Sequence, residues 1–123
     1  MRVADLENRV RAICLAFPET TEKLSHGSPG FFAGRQFTML WMEGHHEQDF
    51  AHLWCAAPAG VQSALVASDP QRFFRPPYVG SRGWVGVRLD GDLDVEELET
   101  LLEDAYRCVA TKRQLAQLDA QRR

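Results

Sequence analysis

The sequence predicts an α+β fold: a two-layer α/β sandwich in the order α-β-β-β-α-β-β-α, with one antiparallel sheet of about five strands. Three observations carry that expectation. A helical apolar stripe opens the chain, extended aromatic-rich runs with short polar connections follow, and a well-capped amphipathic helix comes near the end. At 123 residues, 45% hydrophobic and 25% charged, the chain reads as one soluble domain spanning residues 1–123.

Leu6, Val10, Ile13, Cys14 and Phe17 fall on one helical face, and Pro18 ends the element. Cys14 lies on that stripe and reads as core filling rather than as a nucleophile. Extended runs are expected at Leu24–Ala33, Gln36–Met42 and Phe50–Ala57, separated by Gly34-Arg35 and by the polar loop 43–49. A short helix at 59–67 puts Val61, Leu65 and Val66 inward. The prolines in Pro76–Gly80 allow only a short or edge strand there, because proline cannot donate to a ladder. Trp84–Leu89 reads as a strand with Val85, Val87 and Leu89 on one face. In the last helix Asp94 is the expected N-cap, with Glu97 completing a capping box and Leu93 stapling onto Leu98. Leu98, Leu101, Leu102, Ala105 and Val109 form its inner stripe, and the tail 114–123 continues the helix or frays.

Composition also excludes classes. No apolar run approaches the roughly 18 residues of a membrane helix. The charged opening MRVADLENRVR lacks the apolar stretch of a signal peptide. Three widely spaced cysteines without a CxxC pair argue against structural zinc and a disulfide scaffold, and favour a reducing cytoplasm. No GxSxG, phosphate-binding loop or dinucleotide fingerprint occurs, so neither an enzyme nor a cofactor is expected.

The net charge of −3 conceals two blocks. From Gln71 to Arg88 there are four arginines and no acid; from Asp90 to Asp104 there are eight acids and no base. The acids fit the first turns and outer face of the capped helix. The basic block interleaves Arg72, Arg75, Arg82 and Arg88 with Tyr78 and Trp84. Guanidinium groups pair phosphates and aromatic rings stack on bases, so this composition suits nucleic acid. Lys112 and Arg113 would extend the patch if the last helix ends nearby.

Two further surfaces are candidates. Period-2 alternation places His52 and Trp54 with Trp84 and Arg88 on the sheet face away from the helices. If open, that face would serve a protein partner or a homodimer. The hairpin turns bring His26, His45 and His46 to one end of the sheet with Asp49 nearby. This makes a weak candidate for a metal or small-ligand site, set against a plain polar hairpin tip.

The stretch Asp69–Leu89, DPQRFFRPPYVGSRGWVGVRL, resembles the most characteristic block of the MmcQ/YjbR family. Thr21–Gly27 resembles the family's first-strand motif, and Tyr106–Arg113 its closing helix. His45-His46 before Asp49, and Leu53–Pro58, are similar to one branch of it. The resemblance implies a two-layer fold like that of secretion chaperones and, more distantly, CyaY. It also implies DNA binding through a double-wing arrangement of hairpins, with no catalytic residues. The expected function is therefore non-enzymatic, weak and salt-sensitive DNA binding. In it Arg75, Arg82 and Arg88 contact phosphate, and Tyr78 and Trp84 support or stack.

Overall fold

The computed structural model describes residues 3–45 and 48–122. Helix α1 (Val3–Leu15) is followed by strands β1 (Thr21–Ser25), β2 (Ser28–Ala33), β3 (Arg35–Trp41) and β4 (His52–Cys55). Helix α2 (Val61–Ser68), strand β5 (Phe73–Phe74), a single 3₁₀ turn at Val79–Arg82 and strand β6 (Val85–Arg88) come next. Helices α3 (Val95–Val109) and α4 (Lys112–Gln121) close the chain. The strands form one antiparallel sheet in the order β1-β2-β3-β4-β6-β5. The α+β class and the element order agree with expectation, with six strands in place of about five.

The extra strand arises because the run Leu24–Ala33 folds back on itself. His26 and Gly27 take φ values of +54° and +80°, the signature of a two-residue hairpin turn, and Ser25 pairs with Ser28. Pro76–Gly80 is not the expected edge strand. That role falls to Phe73–Phe74, while the two prolines and a tight turn at Tyr78 lead the chain off the sheet edge into the 3₁₀ turn. Up to Gln121 the tail is helical, as the separate helix α4 after α3 ends at Val109. Thr111 and Gln114 cap α4 reciprocally, and Leu118 is buried.

Register sorts the sheet residues into two faces. Phe31, Leu40, Leu53, Cys55, Val85, Val87 and Phe73 are buried on the face covered by α1 and α3. The predicted stripes supply that cover: Leu6, Val10, Cys14 and Phe17 from α1, and Leu98, Leu102 and Ala105 from α3. Asp94 caps α3 as expected, accepting from the amides of Glu96 and Glu97. A bulge between β2 and β3 leaves Phe37 without a partner on β2, so that Phe37 and Thr38 are both buried in succession. Phe37 packs edge-on against Tyr106, whose hydroxyl donates to the Pro18 carbonyl at 2.8 Å.

The second face departs from expectation. Met39, Trp54, Gly86 and Phe74 form one row across it, and Trp41, His52 and Arg88 form the next. This face is not open. His52, Trp54 and Trp84 are 0%, 4% and 5% exposed. The cover is the chain's own segment between α2 and β6. Phe74 lies over Gly86 and meets His52 edge-on at 5.4 Å between ring centres. Gln62 of α2 donates to the carbonyls of Gly80 and Trp84, tying α2 to the 3₁₀ turn.

A β-carbon at position 86 would fall 2.3 Å from the Phe74 ring. Gly86→Ala must therefore displace that ring, and urea unfolding should show a loss of about 1–3 kcal/mol. Unchanged stability would mean that Phe74 does not pack where described.

Candidate functional site

The four arginines of the basic block have different commitments. Arg72 is inward: its guanidinium donates to the backbone carbonyls of Arg88 and Asp92, and its own carbonyl accepts from the Arg88 amide at 2.8 Å. It splices β5 to β6. Arg88 forms a two-pronged ion pair with Asp90 and lies 4.2 Å from the Phe50 ring centre. That guanidinium holds the Asp90 carboxyl below its usual range.

Arg75 and Arg82 are exposed, and no ion pair engages either among the described residues. The Arg75 stem lies across the α-carbon of Gly80, where an added β-carbon would meet Cγ at 2.7 Å. Arg82 stands 5.6 Å from the ring centre of buried Trp84. Tyr78 lies between them in sequence and is 75% exposed. Trp84 therefore supports the loop from beneath and is not itself a surface for a base. Lys112 is exposed on α4, and Arg113 is paired with Glu19 at 3.2 Å, beside the α1–β1 turn.

Tyr78 has φ +63° and ψ −67°, and the Val79 amide donates to the Pro77 carbonyl at 2.7 Å. This is a γ-turn of the strained hand, costing roughly 1–3 kcal/mol for a bulky residue. Proline at 76 and 77 fixes the approach to it, and the tied 3₁₀ turn follows. Strong anchors on both sides hold the ring outward.

The histidines are brought together only in part. His26 and His45 line one cavity of about 390 Å³ with Met39, Trp41, Trp54, Tyr78 and Val79. The His45 backbone exchanges hydrogen bonds with Gln48, and its imidazole lies flat on Trp41, 3.8 Å away at an interplanar angle of 3°. Asp49 does not line the cavity, and His46 lies outside the described residues. Among the described residues no group of three or more His, Cys, Asp or Glu is placed to hold a metal. Cys14 and Cys55 are buried, and burial pushes the Cys55 thiol up to about 12, far from a reactive thiolate.

His52 is the buried polar group of the second face. Its Nδ1–H donates to the Phe50 carbonyl at 2.8 Å, while Nε2 has no partner among the described residues. Burial holds the imidazole below its ordinary pKa; His45 adds to this, and the bond to Phe50 opposes it. This residue cannot meet a partner protein without unfolding the cover. The expected partner face of His52, Trp54, Trp84 and Arg88 is thus interior except for Arg88, and Arg88 is ion-paired.

A family model described as YjbR matches residues 15–108. The crystal structure of Deinococcus radiodurans protein DR2400, with a DUF419 domain, shares the fold at a TM-score of 0.74. It is 22% identical, over 92% of this chain and 87% of that one. No curated protein matches. No helix among the described residues is long and apolar enough to cross a membrane.

Because the folded His52 titrates below the ordinary value near 6.5, the unfolded chain binds the extra proton first as pH falls. Stability should therefore drop as pH falls from about 7 through 6.5 and level off below the folded value. Urea midpoints between pH 7.5 and 5 read this, and His52→Phe should flatten the slope. An identical slope in the variant would remove His52 as its source.

Proposed function

The chain belongs to the MmcQ/YjbR family, and from that premise we propose that it is a non-enzymatic DNA-binding protein holding the phosphate backbone through Arg75 and Arg82. The observation that carries this function is that, among the described residues, neither has an acidic partner, on either side of the exposed Tyr78. Of the four arginines in the block, these two form no ion pair among the described residues, although Arg75 packs on Gly80 and Arg82 lies over the Trp84 ring. Arg72 and Arg88 serve as the frame that fixes the loop on which the other two stand.

Charge distribution supports the same reading. The acids of α3 belong to a helix that packs against β3 and β4 on the Cys55 face, near enough for Asp104 to act on that thiol. The 75–82 loop borders a cavity floored by Met39, Trp41 and Trp54, on the other face. The sheet therefore stands between the acidic helix and the free guanidiniums. Repulsion of a phosphate chain by α3 is screened by distance and salt, because the Debye length is about 8–10 Å at ordinary ionic strength.

The strength of such a grip is limited. Two exposed cations neutralise few phosphates, and the net charge of −3 gives no long-range attraction. Binding is therefore expected at low salt and lost steeply as salt rises. Tyr78, 75% exposed, is the aromatic side chain of the loop that would lie beside the held phosphates. Lys112 and Arg113, on α4, with Arg113 paired to Glu19 in the α1–β1 turn, are not needed for this grip.

Labelled duplex and single-stranded DNA, titrated at several salt concentrations, test the proposal. The double variant Arg75→Ala/Arg82→Ala should reduce the slope of log affinity against log salt by about 1.4–1.8, at roughly 0.7–0.9 per lost contact. Absence of binding at low salt, or an unchanged slope in the variant, overturns it. Arg72→Ala should instead lower the unfolding midpoint, because that guanidinium is held by two backbone carbonyls.

A further inference from the structure

Strand register carries one row of residues across the whole second face of the sheet. Lys23, Gly30, Met39, Trp54, Gly86 and Phe74 are successive cross-strand partners from β1 to β5. The cover lies over only part of this row. Phe74 sits on Gly86 and Trp54 is buried, whereas Lys23 at the far edge is exposed. The border between the two parts is Met39, which lines one cavity with Tyr78 and Val79 of the 75–82 loop and with His26 of the β1–β2 turn. Beyond Met39, β1 and β2 form a low shelf beside the loop that bears Arg75 and Arg82.

The shelf has a definite shape and sign. Gly30 removes the side chain between Lys23 and Met39, which keeps the row low. A β-carbon there would fall 2.5 Å from the Gln36 amide nitrogen, which donates to the Thr38 carbonyl at 3.3 Å. The Lys23 ammonium lies 5.4 Å from the centre of the half-buried Phe32 ring on the same face. A ring face attracts an ammonium without neutralising it, so the charge still acts on a phosphate. By register, the β1 and β2 positions on this face are Thr21, Lys23, Ser25, Ser28, Gly30 and Phe32, none of them acidic. Glu22 belongs to the other face, where its carboxylate accepts two hydrogen bonds from Arg11 of α1.

The width of the shelf selects its occupant. Two interstrand steps of about 4.8 Å separate Lys23 from Met39, so the shelf is roughly 10 Å across. About three nucleotides of one strand, at roughly 3.4 Å each, span that distance. A duplex is stiff over this length, and resting on the raised loop holds it clear of the lower sheet. A single strand bends over the loop's edge and lies along the shelf.

Resting on the phosphate grip proposed above, we infer that the DNA is held as a single strand, which passes from Arg75 and Arg82 across the shelf to a third phosphate contact at Lys23. The grip thereby acquires a strand class and a second anchoring point, on a strand of the sheet rather than on the loop. Lys23 stands at the edge opposite β5, and the acidic helix α3 packs on the other face.

The test measures the affinity of the full chain for a short oligodeoxythymidylate and for a blunt duplex of equal phosphate number, over a range of salt concentrations. The strand should bind more tightly than the duplex. Lys23→Gln should lower the strand's slope of log affinity against log salt by about 0.7, the value of one single-strand contact, and leave the duplex slope unchanged. Lys23→Arg should restore the strand's slope. Lys112→Gln removes an exposed lysine from α4 and should alter neither slope.

Duplex binding as tight as strand binding overturns the single-strand assignment. So does an unchanged strand slope in Lys23→Gln, or an equal fall in Lys23→Gln and Lys112→Gln, which marks a general effect of charge. Arg75→Ala/Arg82→Ala should lower both slopes. If it does so while Lys23→Gln alters neither, the phosphate grip stands and the shelf contact falls. If neither DNA binds at low salt, both fall.

Discussion

The contact of the Phe74 ring with the α-carbon of Gly86 is the constraint on which the rest of this molecule depends. An antiparallel sheet covered by helices on one side usually leaves its other face to solvent. Here that face carries Trp41, Trp54, His52 and Met39, too much apolar surface to remain wet. A glycine in β6 opens a slot beside them, and the ring from β5 fills it. Once Phe74 is seated, the chain after it must cross the face before reaching β6. Its prolines, its strained Tyr78 and its 3₁₀ turn then fall above the tryptophans. The basic loop, the covered histidine and the ring-lined cavity all follow from that one placement.

The loop's chemistry is divided by the same event. Arg72 lies beside the β5–β6 pair and is absorbed as a backbone clamp, and Arg88 at the end of β6 is absorbed by Asp90 and Phe50. Arg75 and Arg82 flank the crossing segment, where acids are absent from the sequence, so they remain available. A surface cation without an ion pair contributes little to folding, since exposed pairs are themselves worth only about 0–1 kcal/mol.

Much of this was legible in the sequence because it is periodic. The α1 stripe from Leu6 to Phe17, the alternation of Leu53 and Cys55 with Val85 and Val87, and the Asp94 cap all express local spacings of 3.6 or 2 residues. The shared location of His26 and His45 was also legible, since hairpin geometry fixes it. The cover of the second face was not, because Phe74 over Gly86 is a tertiary contact without period. A glycine within a strand is a sign of close approach, and Gly86 was the available signal. The turn at His26-Gly27 was hidden because histidine stands where asparagine ordinarily announces it. The division of the arginines was hidden too, since Arg72 is held by carbonyls that no side-chain pattern reveals.

The central claim, that the chain covers its own second sheet face, is tested most directly by collisional quenching of tryptophan fluorescence with acrylamide. All three tryptophans are buried, at 5%, 4% and 5% exposure for Trp41, Trp54 and Trp84. Quenching of the native protein should be weak for the whole emission and should rise clearly in Phe74→Ala, with the fold checked by circular dichroism. Strong native quenching, near that of an exposed indole and unaltered by Phe74→Ala, would show an open face and contradict the account.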